Sequence, residues 1–257
     1  MGSKRIKVRG GAIKKYEQCI DAREKFKKKC EEMAERHPEL AAYQQKLIDE
    51  REGPSYNIET PIVYNSALDG IQSFDAIKLL LVADNPGRRE QNAAMRSYLV
   101  GPAGKIADTF FKKKSGLTID FRKNVLILNK TPIHTPRTGE LRTLCEIGGE
   151  KITRLIDDSQ RAMVNILVEF YMALKVPIWI IGYSEMKKRG IFETYTRELV
   201  ASVSRSLIRK QDLFFFRHFS MNQFTIDLNK QRLPDENIES ALQRIGYAYR
   251  DRVLGGI

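Results

Sequence analysis

Four short, nearly continuous apolar runs, each set apart from the next by a helical pattern, leave this chain few folds to choose from. They are residues 76–83 (AIKLLLVA), 124–129 (NVLILN), 176–182 (VPIWIIG) and 213–218 (LFFFRH). A strand with one wet face alternates apolar and polar residues, whereas an unbroken apolar run must be covered on both faces. Helical periodicity over residues 103–114, 151–174, 192–208 and 237–253 supplies the cover. The pattern predicts an α/β fold of three α/β/α layers around a central four-stranded, mostly parallel sheet. Such sheets bind ligands beyond the carboxyl ends of their strands. Those ends carry Asp84-Asn85, Asn129, Gly182 and His218.

Residues 1–52 read as an N-terminal helical extension to a domain spanning 53–257. Ile13, Tyr16, Ile20, Phe26, Cys30 and Met33 recur at helical spacing, and His37-Pro38 ends that helix. A second helix over 39–51 is closed by Gly53-Pro54. The longest apolar stretch, 162–183, is interrupted by Glu169, Lys175 and Pro177, so it reads as a core helix followed by a strand and not as a membrane span. Cys19, Cys30 and Cys145 are too few and too dispersed for a disulfide framework or a cysteine-rich metal site, which predicts a reducing cytoplasm. The charged first thirty residues predict no secretory leader. With 44 Lys+Arg against 32 Asp+Glu the net charge is +12, mostly outside the N-terminal helices. Such a surface suits a polyanion, nucleic acid first.

The first strand end reads ADNPG, followed by YLVGPAGK; the second ends in LILN; the last is followed by HFS. An acid and an amide on a turn, a carboxamide at a strand end and a histidine next to a serine can handle water and read a small polar group. Local roles also suit these residue types: a turn or cap for Asp84, a strand end for Asn129, a turn bond for Ser220, core packing for Tyr98 or Leu99.

In order, spacing and strand context, these segments over roughly residues 74–250 resemble the uracil-DNA glycosylase superfamily. That family carries a GxNPG-like strand end, a base-reading Asn and a downstream His-Pro-Ser. VGPAG is similar to the segment of its thermophile-type members. The resemblance implies a monofunctional DNA glycosylase without cofactor or metal, acting on DNA that contains uracil or a related damaged base. Asn85 would position the attacking water, with Asp84 lending anionic character and His218 stabilising the leaving base. Asn129 would read the base; Leu99 or Tyr98 would pack against it, with Gly87 where another branch blocks thymine by a Tyr. Ser220 and Lys105 would meet phosphate, and Met221 or Phe224 would wedge the duplex. Hydrolysis of this kind needs a group that stabilises charge on the leaving base and a held water. No Lys stands within ADNPG, LILN or HFS to form a Schiff base, which argues against a lyase step. The chain departs from the family at Ala83 (a glycine there), at Phe219 (the proline of His-Pro-Ser), and in lacking four cluster cysteines. KTPIHTPRT resembles a loop whose His, matched by His134, forms a covalent DNA adduct in one branch, without that loop's basic run. Two other readings remain: a glycosylase-fold protein that binds damaged DNA without cleaving it, and a nucleotide-binding α/β enzyme, for which no phosphate-loop motif is present.

Overall fold

Each of the four apolar runs forms a strand. The structure, a computed structural model, describes residues 2–52, 55–113 and 117–255. In chain order the elements are α1 (Gly2–Arg36), α2 (Leu40–Glu52), β1 (Leu79–Ala83), α3 (Pro102–Lys113), β2 (Val125–Asn129), α4 (Glu140–Leu174), β3 (Ile178–Ile181), α5 (Glu193–Ser204), β4 (Leu213–Phe216), α6 (Gln223–Gln231) and α7 (Ile238–Leu254). The sheet order is β2-β1-β3-β4 and all three pairings are parallel, where the sequence suggested only mostly parallel. All four carboxyl ends therefore lie along one edge, with Ala83 beside Asn129 and Ile181 beside Phe216.

Helices cover both faces. Trp179 and Phe216 pack on Phe224 of α6, Trp179 also stacks near Phe111 of α3, and Phe214 stacks on Tyr247 of α7 at 4.9 Å. On the other side α4 is the central helix, with α1, α2 and α5 packed against it. The core runs without a break from the sheet into α1 and α2, through Cys19, Ala22, Phe26, Cys30, Met33, Leu40 and Leu47. Ile13 and Tyr16, expected on that buried face, are 58% and 45% exposed. The stripe is centred on Cys19, Ala22 and Phe26 instead, and Tyr16 meets the body only by the edge of its ring on Phe74.

Element ends differ from the sequence reading for local reasons. The first strand begins at Leu79 because residues 74–76 form a 3-10 turn whose entry Ser73 caps by accepting the Asp75 N–H. The helix expected over 151–174 starts earlier, at Glu140, and bends at Gly149 (φ 63°, ψ −155°). The Gly148-Gly149 pair hides the first limb from a reading based on periodicity. The short helix α6 was not foreseen. Asn237 caps α7 by accepting the Ser240 N–H. Gly53 and Pro54, expected to close α2, and Lys114, at the expected end of α3, lie outside the described residues. Among the described residues no helix is long and apolar enough to cross a membrane.

Candidate active site at the strand ends

A cleft of about 800 Å³ opens beyond the carboxyl ends of β1 and β4. From the sequence-derived set it is lined by Asp84, Asn85, Gly87, Leu99, His218, Ser220 and Met221. Residues that sequence reasoning passed over complete its walls, chiefly Glu90, Arg88, Arg89 and the 135–138 segment.

Asn85 is held by its amide nitrogen. Nδ2 donates to Thr135 Oγ1 at 2.9 Å, and the carbonyls of Thr135 and Ile133 lie at 3.3 and 3.4 Å. Thr135 Oγ1 spends its own proton on Arg137 O at 2.9 Å, so it can only accept from Asn85. This fixes the orientation of the amide and leaves Oδ1, which bonds to none of the described residues, as an acceptor at the cleft wall.

His218 is oriented just as firmly. Its Nδ1 accepts the Ser220 N–H at 3.0 Å and lies 2.9 Å from Ser220 Oγ. A neutral ring whose Nδ1 accepts must carry its proton on Nε2. Burial lowers the His218 pKa below the usual 6.5, so near pH 7 the ring is a neutral Nε2–H donor. Ser220 thus serves first as the partner of His218.

Asp84 sits between these two groups in a web of bonds. Oδ1 accepts from Lys130 Nζ at 2.5 Å and Oδ2 from Thr138 Oγ1 at 3.2 Å. Gly182, at φ 78°, leaves the room: a Cβ there would lie 2.3 Å from Asp84 Oδ1. Glu90, almost wholly buried, accepts the Gly87 N–H at 3.1 Å, which holds the turn that follows Asn85. Its burial pushes the carboxyl up to about 7.

Four expected site residues do not line the cleft. Asn129 ends β2 in register with Ala83, but it is 1% exposed and is not part of the cleft lining. Its Nδ2 is shielded from solvent with no hydrogen-bond partner, an orphaned donor one residue pair from the cleft floor. Tyr98 lies in the core, donating its hydroxyl to Val63 O at 2.6 Å, and so offers no face to a ligand. Leu99 takes a left-handed turn (φ 52°), which separates its direction from that of Tyr98. That turn crowds α3 so closely that a Cβ on Gly104 would lie 1.5 Å from Leu99 O. Phe224 is buried in the aromatic cluster under β3 and β4, not on a loop. Lys105 is exposed on α3 and does not line the cleft. Met221, by contrast, is 80% exposed at the rim, where it and Asn222 both adopt left-handed backbone (φ 49° and 56°). Two such residues in succession store strain of order 1 kcal/mol each or more.

His134 has no free nitrogen for covalent chemistry. It is fully buried, with Nδ1 donating to Pro86 O at 2.8 Å and Nε2 accepting from Tyr56 at 3.0 Å. Gln44 of α2 bonds the His134 carbonyl at 2.8 Å, so the N-terminal helices brace the segment whose Thr135 holds the Asn85 amide. Burial pulls the His134 pKa down from 6.5 to about 4. The unfolded chain takes up this proton below about pH 6.5 and the folded chain only near pH 4. Stability is therefore full above pH 6.5 and is expected to fall by about 3 kcal/mol as the pH drops to 4. Denaturant midpoints at the two ends of that range check it, and His134→Gln should shrink the drop.

No model of a known protein family and no curated protein matches the sequence.

Proposed function

We propose that the chain is a monofunctional DNA glycosylase that hydrolyses the N-glycosidic bond of uracil, and of related damaged bases, in DNA. One observation carries this reading: Asn85 and His218, from the ends of two different strands, line one cleft with complementary free groups, an acceptor Oδ1 and a donor Nε2–H. Breaking a base–sugar bond makes the sugar cationic and the leaving base anionic. Asn85 Oδ1 would hold the attacking water, the Asp84 carboxylate would favour the cationic sugar, and His218 would donate to the carbonyl on which charge accumulates. The +12 charge of the chain, with Arg88 and Arg89 on the cleft wall, suits the phosphates that flank an extruded base. The Met221 rim loop is the part suited to fill the space that base leaves. Incubation with an oligonucleotide bearing one uracil, followed by alkali, tests the proposal: strand scission at the uracil supports it, and an intact strand with bound protein refutes it.

That second outcome would fit a protein that binds damaged DNA without cleaving it. The observation favouring this alternative is that Asn85 is an amide, which cannot take a proton from water, while Asp84 is already bonded to Lys130 and Thr138.

Asn129 is the proposed reader of the base, because its orphaned Nδ2 lacks an acceptor that a uracil O4 would supply. Asn129→Asp removes the donor and adds a charge that opposes the anionic leaving group. It is expected to weaken uracil binding by about 1–3 kcal/mol. Competition binding of uracil- and cytosine-containing duplexes measures this, and unchanged selectivity would remove Asn129 from the site.

A further inference from the structure

Lys130 is a buried ionisable group for which the proposed function has no use. It follows β2 directly, its side chain is 0% exposed, and its ammonium lies 2.5 Å from Asp84 Oδ1, 2.6 Å from Ile181 O and 5.0 Å from the Phe192 ring centroid. Burying an ammonium costs several kcal/mol that a hydrophobic side chain of the same size would not incur. Filling space therefore does not explain it. Its bonds run to the ends of β1 and β3, and its carboxylate partner lines the cleft beside His218. Gly182 keeps clear the space that the Asp84 carboxylate occupies.

We propose that Lys130 is a positioning residue of the cleft: its ammonium pins the Asp84 carboxylate at the strand ends and offsets its field at His218, so that His218 meets the ligand as a neutral ring protonated on Nε2. A carboxylate beside a half-buried imidazole, left alone, draws a proton onto the ring and removes the distinction between donor and acceptor nitrogens. Asp84 does pull the His218 pKa upward, and Lys130 pushes it back down. From the remaining walls, Glu90 and the guanidinium groups of Arg88, Arg89 and Arg137 share the cleft with His218. In the adjoining hollow on its other side, Arg217 is directed to Asp227 of α6 at 3.5 Å, Glu185 is paired with Arg142 at 3.0 Å, and Tyr183 completes the wall. The inference rests on this cleft being the ligand site, and not on uracil being the ligand.

The chain has three histidines, so the His218 ring can be followed by NMR through a pH titration of the whole protein without any substrate. Lys130→Met is expected to raise the His218 midpoint by about one pH unit or more, and Asp84→Asn to lower it. The double variant, in which neutral groups replace the pair, should return the midpoint towards that of the parent. The acid limb of the excision rate should move with the midpoint in each variant. An unmoved midpoint in Lys130→Met overturns the proposal. Should Lys130→Met fail to fold, the comparison of Asp84→Asn with the double variant decides: a rise on adding Lys130→Met supports the role, and no change overturns it. A parent protein that excises no uracil would sink the glycosylase reading, and the ring titration would still decide the role of Lys130.

Discussion

His218→Ala is expected to slow uracil excision about a hundred- to a thousand-fold while leaving affinity for uracil-containing DNA nearly intact. A donor aimed at the leaving base acts mainly as charge accumulates there, so its loss appears in the chemical step and not in ground-state binding. Losses of about 2.7–4 kcal/mol are typical for a single donor of this kind. The setting of His218 suits such a role, since Ser220 occupies Nδ1 and burial keeps the ring neutral. The same setting predicts a pH limit: excision should fall as the pH drops through the lowered His218 midpoint, below 6.5. Single-turnover rates, with binding measured on a non-cleavable analogue, separate chemistry from folding. A near-parental rate would make His218 a structural residue.

The second large effect is on stability. Phe219 stands where the resembled family has proline, and it is fully buried, stacked on Phe224 at 4.4 Å and near Phe110 at 6.0 Å. Phe219→Ala should destabilise the fold by about 3–5 kcal/mol, as buried aromatic truncations do. The backbone at this position (φ −71°) is one that proline accepts. The departure from His-Pro-Ser therefore adds ring packing at a φ that proline would also adopt. Phe219→Pro should lose the same ring contacts and regain about 0.4–1 kcal/mol over alanine by stiffening the unfolded chain. Urea unfolding of the three proteins tests both statements, and equal midpoints for parent and alanine variant would refute them.

The strands were legible because a fully covered parallel strand has to be continuously apolar, and runs such as LLLV and IWII have no other use. Sheet order was not legible, since no side chain in a run states its neighbour. At the site, residues on turns at strand ends could be found from their type: Asp84, Asn85, Gly87 and His218 all line the cleft. Direction was harder. Tyr98 and Leu99 are adjacent and both apolar, and the choice between them depends on a left-handed turn at a leucine, which no propensity predicts. Phe224 reads as a duplex wedge because the short helix α6 that buries it has no strong periodic signal. Lys130 does carry a signal in the sequence: a lysine directly after an apolar strand, at an edge where polar groups face a ligand, calls for a carboxylate to meet, here Asp84.

The position of β1 in the sheet has a consequence for how the chain is made. Both of its edges are filled by distant segments, Leu79 pairing with Val125 and Leu80 with Ile178. On a ribosome, β1 emerges with nothing to join, gains β2 on one edge, and keeps the other edge open until β3 has been synthesised. The buried stripe of α1 waits for α4 in the same way. Assembly of this kind closes long loops before it gains contacts, which makes folding slow and leaves intermediates prone to association. A nascent chain halted before Leu213 would present Ile178–Ile181 as a bare, wholly apolar sheet edge, the kind of surface that recruits other strands.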